Sequence, residues 1–193
     1  MSTFEFILIL FAIIIGFGIS EILQGWGDQL RARRKVSALQ VVASTYILVM
    51  SLRMLWLQWS QRYLDWGYGE YLLAASQPIL FALAARVVRF DPASERSADE
   101  QYFQCSRRLF SILAAFPIVL VLRTTAVNFD SVVGDIVIGA SFVLASSTVL
   151  FIVFCWLAWS GSSRHHWIGL SVLLAVNLIW SLLVQPDLAG TAG

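Results

Sequence analysis

The sequence predicts an all-α integral membrane protein, a bundle of six transmembrane helices, with a possible arrangement as a 3+3 inverted repeat. Three observations carry that reading. The 193-residue chain is 59% hydrophobic and only 13% charged, with a mean hydropathy of +0.76; a soluble domain carries about 25% charged residues. Apolar runs near the length needed to cross a bilayer, about 20 residues, recur from end to end. None alternates apolar and polar residues as a barrel strand does, and a backbone facing lipid must satisfy its own hydrogen bonds, so the runs are helices. They fall at about 4–23, 39–59, 71–88, 109–127, 133–156 and 167–184, in one transmembrane domain over 1–193 with a polar linker at about 89–108.

The first run reads as a span and not as a cleaved signal. No basic residue precedes it, the first cation is Arg31, and no small-x-small cleavage pattern follows. Gly16 and Gly18 invite close approach of another helix. Glu21 follows, as a structural ion pair with Arg86 or Arg107 or as a carboxylate handling protons or cations. The turn Arg31, Arg33, Arg34 and Lys35 sets topology and offers anionic lipid headgroups about 1 kcal/mol per cation.

Ser37-Ala38-Leu39-Gln40 fits a capping box at the start of the second run. Arg53 sits about two turns before its end, snorkelling to headgroups, pairing with Asp135, or drawing anions into a pore. In the third run Gln77 precedes Pro78, which removes a helical hydrogen bond and kinks the helix. Ser97-Ala98-Asp99-Glu100 fits a second capping box, so the fourth helix starts before its apolar run. That run holds Pro117 and ends near Arg123. Asp130 or Ser131 is a cap for the fifth helix, which carries Asp135; Ser141 and Thr148 share one face, with Ser147 at its edge. Residues 160–166 read as a hinge. Asn177 lies in the sixth run, one turn before Ser181.

Ten of the thirteen cations fall on one side, in loops one, three and five or at the span end beside them, including Arg86, Arg89, Arg96, Arg107, Arg108 and Arg164. The positive-inside rule puts those loops in the cytoplasm and both termini outside, in the inner or plasma membrane of a cell such as a bacterium. Trp26, Trp156, Trp159 and Trp167 then mark the inner interface, and Trp56, Trp59 and Trp66 the outer one.

Trp56-Leu57-Gln58-Trp59-Ser60 returns one hundred positions later as Trp156-Leu157-Ala158-Trp159-Ser160. At that offset Gly69, Leu73, Ala75 and Leu83 meet identical residues, and Gln77 falls opposite Asn177. With three helices per half, a true repeat is inverted, as in many transporters whose site lies at the midplane. Interfacial preference of tryptophan produces the same echo without any repeat.

Other chemistries find little support. Gly25-Trp26-Gly27-Asp28 matches the literal Gly-x-Gly-Asp pattern of presenilin-like intramembrane proteases, but it sits in a loop and lacks a second aspartate at matching depth. The Ser160–Ser163 hydroxyls next to His165 and His166 lack an orienting acid. Cys105, Cys155 and the two histidines have no zinc-finger spacing, and no phosphate-binding glycine loop occurs. The net charge of +1 points to no nucleic acid. No cofactor, catalytic set or metal is expected.

Intramembrane polar groups are costly and mark function by default. Glu21, Arg53, Gln77, Asp135, Asn177, Arg86 and Arg123, with kinks at Pro78 and Pro117, are therefore the candidate site. The expected function is passage of an ion or small solute by a homo-oligomer embedded in the lipid bilayer. The alternatives are a membrane-embedded interaction or effector subunit, in which the same groups join helices and line no path, and an enzyme acting on lipid-linked substrates.

Overall fold

In the computed structural model of the protein, residues 3–32, 37–59, 67–91, 94, 96–128 and 135–183 are described. They form six helices: α1 (Thr3–Ala32), α2 (Ala38–Trp59), α3 (Tyr68–Val88), α4 (Ala98–Asn128), α5 (Asp135–Trp159) and α6 (Ser163–Leu183). No strand occurs among the described residues. Each predicted span has its helix. Among the described residues four helices are long and apolar enough to cross a membrane: Glu5–Arg31, Ala38–Trp56, Tyr68–Val88 and Ala98–Thr125. In α5 the described apolar stretch is Val143–Trp159.

The ends follow local hydrogen bonding. At α4 the capping box forms in full: Glu100 N–H donates to Ser97 Oγ at 3.3 Å and Ser97 N–H to Glu100 Oε2 at 2.9 Å. The helix therefore starts at Ala98, well ahead of its apolar run, which begins near 109. At α2 only half the expected box forms. Gln40 N–H donates to Ser37 Oγ at 3.4 Å, but the Gln40 side chain turns away. Its amide donates to the Val88 carbonyl at 2.8 Å and its oxygen accepts from Gln29 at 3.0 Å. Gln40 thus ties the start of α2 to the ends of α1 and α3, and satisfies a carbonyl that the end of α3 would leave orphaned. The suggested caps Asp130 and Ser131 lie outside the described residues, as do Arg33, Arg34 and Lys35.

The core is aromatic and aliphatic and runs the length of the bundle. Phe81 of α3 meets Phe116 of α4 with ring centroids 5.0 Å apart, and Phe110 of α4 stacks on Phe154 of α5 at 6.4 Å. α4 is the central element, packed closely on α3 and α5, while α2 touches α1, α3, α4 and α6. Phe6, Ile9, Ile13 and Phe17 of α1 all stay more than half exposed. A row of large apolar side chains facing outward is compatible with a lipid-facing surface.

Close approach of α1 to α3 depends on Gly18, where an added Cβ would stand 3.2 Å from Ala82 Cα. At Gly16 it would meet nothing within 4 Å, so only one of the two predicted glycines serves packing. Gly18→Leu is accordingly expected to destabilise the bundle by about 1–3 kcal/mol through overpacking, and Gly16→Leu to leave it unchanged. Thermal unfolding of both variants in detergent checks this.

The two halves are packed differently among the described residues. α1 lies against α3, whereas α4 and α6 have no Cα atoms within 8 Å and meet through side chains alone. Gly169 is pressed against the Leu157 side chain, while its sequence counterpart Gly69 faces open space. Ala75 is buried and Ala175 exposed.

Candidate functional site

A cavity of about 250 Å³ opens between α2, α3, α4, α5 and α6. Its polar lining is Tyr46 and Arg53 from α2, Gln77 from α3, Arg123 and Thr124 from α4, and Asn177 from α6; methionine, leucine, valine and phenylalanine complete the wall. Helical periodicity explains the faces. Tyr46, Met50, Arg53 and Met54 are spaced i, i+4, i+7, i+8, as are Phe116, Leu120, Arg123 and Thr124, so each set forms one stripe of its helix. Four of the seven polar candidates picked from the sequence, Arg53, Gln77, Arg123 and Asn177, therefore share one cavity. Arg53, Arg123 and Asn177 all lie within the last two turns of their helices.

The groups are differently satisfied. The Arg53 guanidinium donates to both the side-chain oxygen and the backbone carbonyl of Asn177, the latter at 3.2 Å. This bond joins α2 to α6. Arg123 is 8% exposed and feels the negative charge of Glu70 at the start of α3. Gln77 is 1% exposed, and its Nε2 has no hydrogen-bond acceptor in the protein. A buried amide N–H left unmade costs about 1–3 kcal/mol. Pro78 follows it inside α3, and Pro117 lies next to Phe116 in the cavity wall. Lacking an N–H, each proline leaves the carbonyl four residues earlier, of Ala74 and Leu113, without its helical donor.

The remaining candidates lie elsewhere. Glu21 pairs with neither Arg86 nor Arg107. It pairs with Arg89 at 2.9 Å, and the same guanidinium reaches Asp28 at 3.2 Å. The cause is the end of α3: Arg89 is its C-cap, with extended backbone (φ −57°, ψ 136°), so its side chain leaves the helical register and turns to α1. The carboxylates of Glu21 and Asp28, by hydrogen bonding and then by charge, hold the Arg89 pKa above its usual value. Arg86 is on the exposed face of α3, and Arg107 lies over the Trp159 ring at 5.2 Å. The Asp135 side chain lies outside the described residues, so its suggested pairing with Arg53 is not among the contacts. On α5, Thr148 is exposed and bonds its own helix at Leu144, at 2.8 Å. Ser147, placed only at the edge of the polar face, is the buried hydroxyl, and its Oγ has no partner.

A second polar cluster forms at the other end of the bundle. His166 is fully buried, packed edge-on against Tyr102 and Phe103. Its Nε2 lies 2.9 Å from the Ser160 carbonyl and its Nδ1 2.8 Å from Tyr102 Oη. A carbonyl only accepts, so Nε2 carries the proton and Nδ1 accepts from tyrosine. Ser160 Oγ also sits 2.8 Å from His165 Nδ1 and accepts from Ser162 N–H at 3.3 Å. No carboxylate orients His165 in the contacts described, so this arrangement shapes the α5–α6 turn. Cys105 and Cys155 are free thiols, half-buried, and among the described residues no three His, Cys, Asp or Glu side chains group as metal ligands.

Sequence reasoning passed over Tyr46 and Thr124 as cavity residues. The signal was there in the helical stripes through Arg53 and Arg123. Compared with protein-family models, curated proteins and solved structures, the chain matches none, so its function rests on the site itself.

Proposed function

We propose that the chain is a six-span integral membrane protein that passes an ion or small solute, acting as an oligomer, through the cavity between α2 and α6. The observation that carries this is the convergence of polar groups from four helices, Arg53, Gln77, Arg123 and Asn177, on one cavity among otherwise apolar helices. Scattered polar residues serving only local helix contacts have no reason to converge. The cation-rich loops face the cytoplasm, with both termini outside, and Arg31, Arg33, Arg34 and Lys35 contact anionic headgroups. In that orientation the cavity lies in the outer half of the bundle. Its prolines weaken α3 and α4 beside it, which favours local opening. The halves need not be structural repeats for this to hold.

Purified protein in proteoliposomes is expected to support flux of a small solute or ion, reduced at least tenfold by Arg123→Leu. Absence of flux across protons, common ions and small organic solutes overturns the reading. A cysteine introduced at Ser94 (S94C) should be labelled by an impermeant thiol reagent only from the cytoplasmic side.

One observation favours a second reading, a membrane-embedded interaction or effector subunit: Arg53 and Asn177 bond helix to helix. In that case alanine at Gln77 and Asn177 disturbs assembly, measured by size-exclusion in detergent, and there is no flux to lose.

A further inference from the structure

We propose that the cavity binds a small carboxylate with an apolar body, its anionic head held by Arg53, Arg123 and the Gln77 amide; this names the solute of the function proposed above and rests on that reading. Charge is the first argument. Two guanidinium groups, those of Arg53 and Arg123, line the cavity. Guanidinium forks match carboxylate oxygens in bidentate geometry better than any other side chain.

The second argument is independent of charge. Gln77 belongs to the cavity wall, is 1% exposed, and keeps an Nε2 with no acceptor in the protein. A buried donor without a partner is rare in a native fold and asks for an explanation. An acceptor-rich ligand supplies one. The oxygen of a carboxylate has lone pairs to spare after binding a guanidinium, and an amide N–H is suited to take one of them.

The third argument concerns the rest of the wall. Met50, Met54, Phe116, Leu120, Leu150 and Leu173 offer nothing to a hydrated inorganic anion. They suit an apolar group attached to the anionic head. Methionine adapts to varied shapes, so the body need not be of one form. The volume of about 250 Å³ is just under the roughly 300–1,000 Å³ of drug-sized pockets. It admits a small molecule and is too small for a phospholipid.

The test uses the full chain in phosphatidylcholine nanodiscs, with benzoate, benzamide and chloride as probes, followed by isothermal titration. Benzoate is expected to bind saturably and benzamide at least tenfold more weakly, since the two differ chiefly in charge. Gln77→Leu is expected to weaken benzoate about 10–100-fold, the loss of one hydrogen bond to a charged group. Gln77→Glu, which keeps the side-chain shape, should abolish benzoate binding, and it serves equally if Gln77→Leu does not fold. Benzoate that fails to bind, benzamide that binds equally well, or chloride that displaces benzoate at equal concentration overturns the proposal. Benzoate binding without flux of any solute overturns the transport reading and leaves the site standing. Flux of a cation or neutral solute with no benzoate binding does the opposite.

Discussion

Asn177→Leu is expected to destabilise the bundle by about 1.5–3 kcal/mol, the range for a hydrogen bond to a charged group. The side-chain oxygen of Asn177 accepts from Arg53 across the α2–α6 contact. Leucine fills a similar volume but withdraws that acceptor from a guanidinium that stays in place. The backbone carbonyl of residue 177 remains, at 3.2 Å, which keeps the loss below the 3–5 kcal/mol of a fully broken buried ion pair. Asn177→Asp separates stability from binding. It keeps the acceptor, adds a full negative charge beside Arg53, and should hold or raise the unfolding temperature in detergent. The same charge occupies the position meant for an anionic ligand, so benzoate binding should fall at least tenfold. A variant that loses stability as Asn177→Leu does would show that side-chain shape, and not the acceptor, matters at this position. Retained benzoate affinity in Asn177→Asp would place the ligand away from Arg53.

How far the sequence reached can be read from these same residues. Run length alone found all six helices, because a long apolar segment has few stable forms besides a helix. Arg53, Gln77, Arg123 and Asn177 stood out because a polar side chain in an apolar run needs a reason, and all four meet in one cavity. Partners were harder. Glu21 pairs with Arg89 and not Arg86 because α3 stops at Val88, and one residue of extended backbone redirects a side chain. Run length fixes helix ends only to within a few residues, and a partner depends on that last residue. The sequence pattern marks Gln40 as a local cap, yet its amide ties together three helices. Local pattern cannot show which of two satisfiable bonds tertiary packing will choose. The choice between Ser147 and Thr148 turned on 100° of rotation about α5, which a helix apolar all round does not encode.

The sequence places His166 in a hinge, and its replacement carries the largest expected cost. It is wholly buried between α4 and the α5–α6 turn, accepting from Tyr102 and donating to the Ser160 carbonyl. His166→Leu leaves the buried hydroxyl unpaired, at about 1–3 kcal/mol, and the half-buried carbonyl unpaired at a smaller cost, for a total of about 2–4 kcal/mol. Tyr102→Phe alone removes one bond, and in the double variant the tyrosine hydroxyl is no longer there to be orphaned. The two changes should therefore combine less than additively, by about 1 kcal/mol or more. The pH dependence has a definite sign. His166 lies ahead of the last apolar run, and burial, with the nearby His165 charge, lowers its pKa below the usual 6.5 despite the bond to Ser160. The folded state thus holds the neutral ring, while the unfolded chain takes up a proton near pH 6.5. Its contribution is full above about pH 6.5 and declines as pH falls below that value. Unfolding temperatures measured between pH 5 and pH 8 should drop on the acid side in the native chain, and His166→Leu should flatten that slope. A slope unchanged by His166→Leu would assign the acid sensitivity to other groups and leave His166 a packing residue only.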